Sequence, residues 1–142
     1  MRLSRAEARS RFADARVARL ATVSAAGVPH LVPITFAVLD ERIVFVVDDK
    51  PKSTTRLRRL DNIASQPFVC VLVDVYDDDW TRLWWVRADG TATILASDTE
   101  AVDALAARYA AYVERRPPGP VVSIDVTAWI GWAATGTPDA PP

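Results

Sequence analysis

Five basic side chains fall within ten positions in the segment Lys50-Pro51-Lys52-Ser53-Thr54-Thr55-Arg56-Leu57-Arg58-Arg59, and no acid interrupts them. Both lysines stand just before a predicted helix over 53–65, for which Ser53 is the N-cap candidate. Free backbone N–H groups, the positive end of the helix dipole and cationic side chains would then converge on one spot, an arrangement suited to a phosphate. Lys52, Arg56 and Arg59 are spaced four and three apart and so share a helix face. Leu57, Leu60 and Ile63 define the buried side. The competing reading is an ordinary solvated basic helix.

A second cluster is aromatic. Three of the five tryptophans lie in Trp80-Thr81-Arg82-Leu83-Trp84-Trp85. Trp84 and Trp85 are adjacent in a predicted strand and must point to opposite faces. One can fill a core while the other lies on an outer face or a subunit contact. The preceding Asp77-Asp78-Asp79 run reads as a solvated loop rather than a metal site.

Other chemistries lack their parts. One cysteine and one histidine exclude a zinc site with about four N/S ligands. A serine or cysteine nucleophile needs a base, and His30 beside Pro29 reads as a rim histidine. Cys70, inside Phe68-Val69-Cys70-Val71-Leu72, reads as a buried core thiol. Neither a Gly-x-Gly-x-x-Gly nor a Gly-Lys-Ser/Thr phosphate loop occurs among the five dispersed glycines. A net charge of −1 does not draw the whole molecule to nucleic acid. All but two of the 17 basic residues are arginines, which singles out Lys50 and Lys52. No apolar run reaches the ~20 residues of a membrane span, and the N-terminal residues lack the apolar core of a signal peptide. The expectation is a cytoplasmic protein without a membrane anchor.

The elements that must position these residues follow from pattern. Ser4-x-x-Glu7 is a capping box opening a helix over 4–15, with Leu3 stapled against Ala8. Strands are predicted at 18–24, 31–39 and 43–48, joined by hairpins at Ala26-Gly27 and Asp40-Glu41-Arg42. Pro29 and Pro33 donate no ladder hydrogen bond, so their stretch belongs at an edge or against a ligand. Pro67 ends the basic helix. Strands follow at 68–75 and 82–96, the latter interrupted at Gly90. Ser97-x-x-Glu100 opens a helix to about residue 115, and a last strand spans 121–127. Hairpins outnumber crossovers, which favours an α+β fold: an antiparallel split barrel with helices outside, in a single domain over 1–134 followed by a Pro/Ala-rich tail over 135–142.

From Ala18 to about Thr127 the chain resembles the split β-barrel flavin and deazaflavin proteins of the pyridoxamine 5′-phosphate oxidase-like superfamily. Arg19-Leu20-Ala21-Thr22-Val23 followed by Gly27-Val28-Pro29-His30-Leu31-Val32-Pro33-Ile34-Thr35-Phe36 looks like the family's first hairpin. Arg59-x-x-Asn62-Ile63-x-x-x-Pro67 resembles its Lys-x-x-Asn-Leu-x-x-x-Pro helix. Trp85-Val86-Arg87-Ala88-Asp89-Gly90-Thr91-Ala92 resembles its Val-Arg-Val-x-Gly-x-Ala strand. Lys50-Pro51-Lys52, Asp79-Trp80 and Leu83-Trp84-Trp85-Val86-Arg87 look most like an actinobacterial subgroup of F420-dependent oxidoreductases.

The resemblance implies a homodimer with a cofactor in a cleft between subunits, and hydride transfer between reduced F420 and a small organic substrate. FMN is the alternative cofactor, and a non-catalytic cofactor or haem binder is the alternative function. Arg59 carries over as a phosphate contact, with Lys50, Lys52, Ser53 and Arg56 added on the anion argument. Pro33, Thr35 and Trp85 are the candidates around the ring, with Trp84 as the other choice of tryptophan. No catalytic acid or base and no metal ligand is nominated, because the hard chemistry belongs to the cofactor. Trp85 stands where flavin-dependent pyridoxamine phosphate oxidases carry glutamine, which disfavours that particular activity.

Overall fold

The computed structural model describes residues 1–47 and 57–135. Helix α1 (Arg5–Asp14) starts as the capping box predicts, with Ser4 Oγ accepting the Glu7 N–H. Leu3 and Ala8 are both buried beneath it, and Phe12 is fully buried. The chain then forms strands β1 (Ala18–Val23), β2 (Pro29–Ile34), β3 (Ala37–Leu39) and β4 (Arg42–Val46). Helix α2 (Arg58–Ser65) leads to β5 (Phe68–Val75), a short 3-10 turn at Trp80–Arg82 and the long β6 (Trp84–Leu95). Helices α3 (Thr99–Arg108) and α4 (Ala110–Glu114) precede β7 (Val121–Ala133).

All pairings are antiparallel and give one seven-stranded sheet in the order β2-β1-β5-β6-β7-β4-β3. β2 is an edge strand, as its two prolines require. The β3–β4 connection is a tight turn in which Asp40 takes φ 53, a left-handed conformation that Asp tolerates. The main core lies inside the curled sheet. There Phe12 packs on Phe36 at 4.9 Å and edge-on to Trp129 at 5.3 Å. A second core forms where α3 covers the other side of β3 and β4, with Ala101, Val102 and Leu105 against Ala37, Val44 and Val46. β4 is therefore buried on both faces, which is why its run Ile43-Val44-Phe45-Val46 shows no alternation. No helix among the described residues is long and apolar enough to cross a membrane.

Several expectations are corrected. The strand predicted over 31–39 is two strands broken at Thr35-Phe36. The helix predicted from Ser53 begins instead at Arg58, with Leu57 in extended backbone as its N-cap, so Ser53 does not cap it. Ser53 itself lies outside the described residues. The helix after β6 is capped by Asp98, which accepts from the Ala101 N–H, and not by Ser97. That helix also breaks at Tyr109.

β6 is not interrupted at Gly90; the irregularity is a register shift against β7 between Asp89 and Gly90. Gly90 is needed there, since a Cβ would sit 2.4 Å from the Asp125 carbonyl oxygen. β7 runs six residues beyond the predicted end at Thr127. Cys70 is only half-buried, because Val69, Val71 and Val73 are the residues of β5 that face the core.

Candidate functional site

The break between β2 and β3 positions the site. Where the sheet edge turns, Pro33, Ile34 and Thr35 line a cleft together with Val17, Val46, Arg59 and Tyr112. Its volume is about 270 Å³. Arg59 is delivered by the first turn of α2, which is fixed to the sheet by its buried side. Ile63 enters the core there, and Asn62 Nδ2 donates to Thr22 Oγ1 at 3.0 Å in a buried contact with β1. Tyr112 comes from α4, and its hydroxyl lies 2.8 Å from Thr35 Oγ1. The neighbouring Tyr109, in extended backbone between α3 and α4, has its hydroxyl 3.2 Å from the Phe36 N–H and 3.0 Å from the Phe36 carbonyl. The Arg16 carbonyl lies within 2.9 Å of the same hydroxyl.

The cleft thus combines one guanidinium, two hydroxyls and apolar walls. That donor set suits a planar, mostly apolar group with polar edges and a nearby anion. At about 270 Å³ the cleft falls short of the ~300–1,000 Å³ of a complete site for a drug-sized ligand. The described residues thus line a cleft somewhat smaller than a complete site of that kind.

Of the residues singled out in the sequence, Arg59, Pro33 and Thr35 meet in this cleft. Lys50, Lys52, Ser53 and Arg56 lie outside the described residues. Trp85 does not line the cleft of its own chain. Trp85 faces outward, opposite Trp132 in the β6–β7 register, in a recess of about 600 Å³ with Tyr76, Trp80, Leu83 and Ala134. Trp84 turns the other way and packs against the main core, with the Arg11 guanidinium 5.3 Å from its ring centre. The opposite faces expected of this pair are observed.

Val17, Ile34, Val46 and Tyr112 are the cleft residues that sequence reasoning missed, and Tyr112 is the polar one among them. It lies 77 positions from its partner Thr35, and no spacing signal connects them.

The remaining titratable candidates lie outside the cleft lining. Asp79 caps the 3-10 turn through the Thr81 N–H, and these hydrogen bonds from Thr81 hold its carboxyl below the ordinary range. His30 faces Thr22 across β1–β2, five residues and so ~16 Å along the strand from Thr35. Burial, followed by the nearby Asp89 charge, pushes the Cys70 thiol up, so it is a weak nucleophile at neutral pH. Among the described residues no group of three His, Cys, Asp or Glu side chains is placed to hold a metal.

Arrangement and sequence agree on the class of protein: an α+β fold with a single antiparallel sheet, flanking helices and a polar-edged cleft at the sheet rim. The chain belongs to the pyridoxamine 5′-phosphate oxidase family, whose model matches residues 4–133. The fold is consistent with that family's split barrel.

Solved structures similar to it include a FAD-binding protein from Mesorhizobium loti. That structure is 21% identical with TM-score 0.71, covering 92% of this chain and 95% of that one. A conserved hypothetical protein from Mycobacterium tuberculosis is 24% identical with TM-score 0.70, covering 93% and 86%. The FAD binding protein from Mycobacterium smegmatis is 20% identical with TM-score 0.64, covering 93% and 97%. Among curated proteins no relative matches.

Proposed function

We propose that this protein is an oxidoreductase carrying a flavin-type cofactor, with F420 the reading and FMN its alternative. The observation that carries the proposal is the convergence of Arg59, Pro33 and Thr35 in one cleft from separate parts of the chain. Two similar structures described as FAD-binding proteins support a flavin-type ligand over an unrelated one.

In this reading Arg59 holds an anionic group of the cofactor through charge-assisted hydrogen bonds. Lys50, Lys52, Ser53 and Arg56 belong to the same anion site. Pro33, Val17 and Ile34 pack on the ring face, and Thr35 meets its polar edge. When bound, the cofactor supplies hydride transfer to or from a small organic substrate. The protein's own part is placement, water exclusion and charge.

The working unit in this proposal is a homodimer. The outward side of the sheet carries Leu31, exposed by 67%, and Phe68, exposed by 70%, with Val23, Leu72 and Trp132 also open. These residues lie on adjoining strands, since Ala21 pairs with both Leu31 and Cys70, and Leu72 pairs with Arg87, itself opposite Ile130. Arg19, Asp74 and the Arg87–Asp89 ion pair share this outward side. The exposed apolar side chains therefore form a patch among charged neighbours, and such a patch marks an interaction surface. Pro33 belongs both to this outward face and to the cleft, so a second copy seated on the face would wall the cleft and enlarge the site. Trp85 enters the site only through that second copy.

The experiment is a fluorescence titration of the apo-protein with F420, FMN and FAD side by side. Tight F420 binding with weak FMN and FAD binding supports the deazaflavin reading. The reverse moves the protein to the flavin branch, and saturable binding of none rejects the redox assignment. A second reading, a non-catalytic cofactor binder, is favoured by one observation. The described cleft lining contains no carboxylate, histidine or cysteine to move a proton. Binding without turnover of any reduced cofactor across a panel of electrophilic substrates would establish it.

A further inference from the structure

The α3–α4 junction attaches two tyrosines to two consecutive residues at the β2–β3 break. Tyr109 engages the backbone N–H and carbonyl of Phe36, and Tyr112 engages the side chain of Thr35. The two rings meet edge to face at 5.8 Å, and the Arg16 guanidinium sits 4.6 Å from the Tyr109 ring centre. Tyr109 thereby fixes the junction, and Tyr112 is set three residues further on over the cleft. Both members of the Thr35–Tyr112 pair are half-buried and both line the cleft.

Each hydroxyl has one hydrogen to give. A phenol, with an ordinary pKa of about 10, is far more acidic than an aliphatic alcohol and is the better donor. When Tyr112 donates to Thr35 Oγ1, the hydrogen of Thr35 is released for a partner in the cleft.

We infer that Tyr112 is a positioning residue: by donating to Thr35 Oγ1 it turns the Thr35 hydroxyl into a hydrogen-bond donor towards an acceptor atom on the cofactor's ring. This deepens the flavin-type reading and rests on it. It commits the Thr35 edge of the cleft to a ring carbonyl or unprotonated ring nitrogen and leaves the phosphate to the Arg59 side. A donor at that edge also favours electron-rich, reduced ring states, whose acceptor atoms carry more negative charge.

The test compares wild type, Tyr112→Phe, Thr35→Val and the double variant, each titrated with FMN and with F420. Dissociation constants, the visible absorption spectrum of the bound cofactor and melting temperatures of the apo-proteins are recorded. Tyr112→Phe is expected to weaken binding by about three- to tenfold, the range for one neutral hydrogen bond, and to shift the bound spectrum. Thr35→Val is expected to do at least as much, and the double variant to match Thr35→Val alone, since Tyr112 acts through Thr35.

Unchanged affinity and spectrum in Tyr112→Phe, or additive losses in the double variant, would overturn the inference while leaving the cofactor reading intact. Wild type that binds neither cofactor overturns both. Should the phenylalanine variant fail to fold, Thr35→Ser and Thr35→Val decide the matter. Serine should keep the wild-type spectrum and valine lose it, and identical spectra in the two would reject the proposal.

Discussion

Two of the recesses among the described residues lie at different places on one sheet and are built from different materials. The cleft at the β2–β3 break is small and polar-edged, with its hydroxyls already in mutual contact and a guanidinium at its rim. The aromatic recess beside β6 and β7 is about twice as large and is walled by Tyr76, Trp80, Trp85 and Trp132. Its acidic neighbours Asp77 and Asp79 are occupied in capping the turn, so it offers contact area and little directed charge. Specific recognition of an anionic, hydrogen-bonding ligand needs few atoms in fixed positions. Association with another surface needs broad aromatic area. In the proposed reading the two recesses divide along that line.

The largest effect that could break this division is at the recess. Trp132→Asp places a charge in the outward face and is expected to weaken self-association by about 2–4 kcal/mol, as for a central aromatic at an interface. Sedimentation of parent and variant over a concentration series checks this, and a parent that sediments as a monomer throughout removes the dimer.

Next in size is Arg59→Ala, expected to lose about 1–3 kcal/mol of cofactor affinity at an unchanged melting temperature. Equal affinity would move the anion site away from α2.

A third variant acts on the cleft from a distance. Asp98 caps α3 and pairs with Arg42 at 2.8 Å, and α3 carries the junction that places Tyr112. Asp98→Ala should cost about 1 kcal/mol of stability at neutral pH, read by denaturant titration. Hydrogen bonding from Arg42, then from the Ala101 N–H, holds the Asp98 carboxyl below the ordinary carboxylate range. A depressed folded value means that this contribution is complete above the unfolded pKa of about 3.9 and fades as pH falls through the folded one. Wild type should therefore lose its advantage over Asp98→Ala progressively below about pH 4. An advantage that persisted to the lowest pH would show that the carboxylate is not its source.

The smallest effect is at the acidic rim of the recess. Asp79→Ala, in a fully exposed turn, should leave melting temperature and cofactor affinity unchanged within error. A clear loss of affinity there would extend the cofactor site from Trp85 of the second copy to the acidic rim of the recess.

What could be read from the sequence follows from how local each cause is. Ser4 and Glu7 specify a helix start because cap and capped N–H are three residues apart. Pro29 and Pro33 specify an edge strand because a missing N–H is a property of the residue itself. Arg59, Asn62 and Pro67 mark α2 and its end.

By contrast, Ser97 and Asp98 are both acceptable caps. Only the Arg42 guanidinium, 56 positions away, selects Asp98. Ala128-Trp129-Ile130-Gly131-Trp132-Ala133 has a weak strand signal of its own and is extended because β6 offers a full ladder beside it. Cys70 sits in an apolar run that fits either face. The register against β1 and β6 turns Val69, Val71 and Val73 inward and Cys70 out.

The site divides in the same way. Arg59 is legible as a cation on a helix, whereas Pro33 and Thr35 are marked as site residues only through the resemblance to the family's first hairpin. Tyr112 is marked by neither, since one tyrosine in a helical stretch carries no mark of what it faces. The sequence by itself determined the Ser4 cap, the edge strand, the antiparallel class and Arg59 as a cation on a helix, because each depends on interactions within a few positions of chain. Only the tertiary structure decided that α2 starts at Arg58, that Trp85 faces the recess and that Tyr112 meets Thr35. Those outcomes depend on sheet register and helix docking, where long-range pairing outweighs local preference.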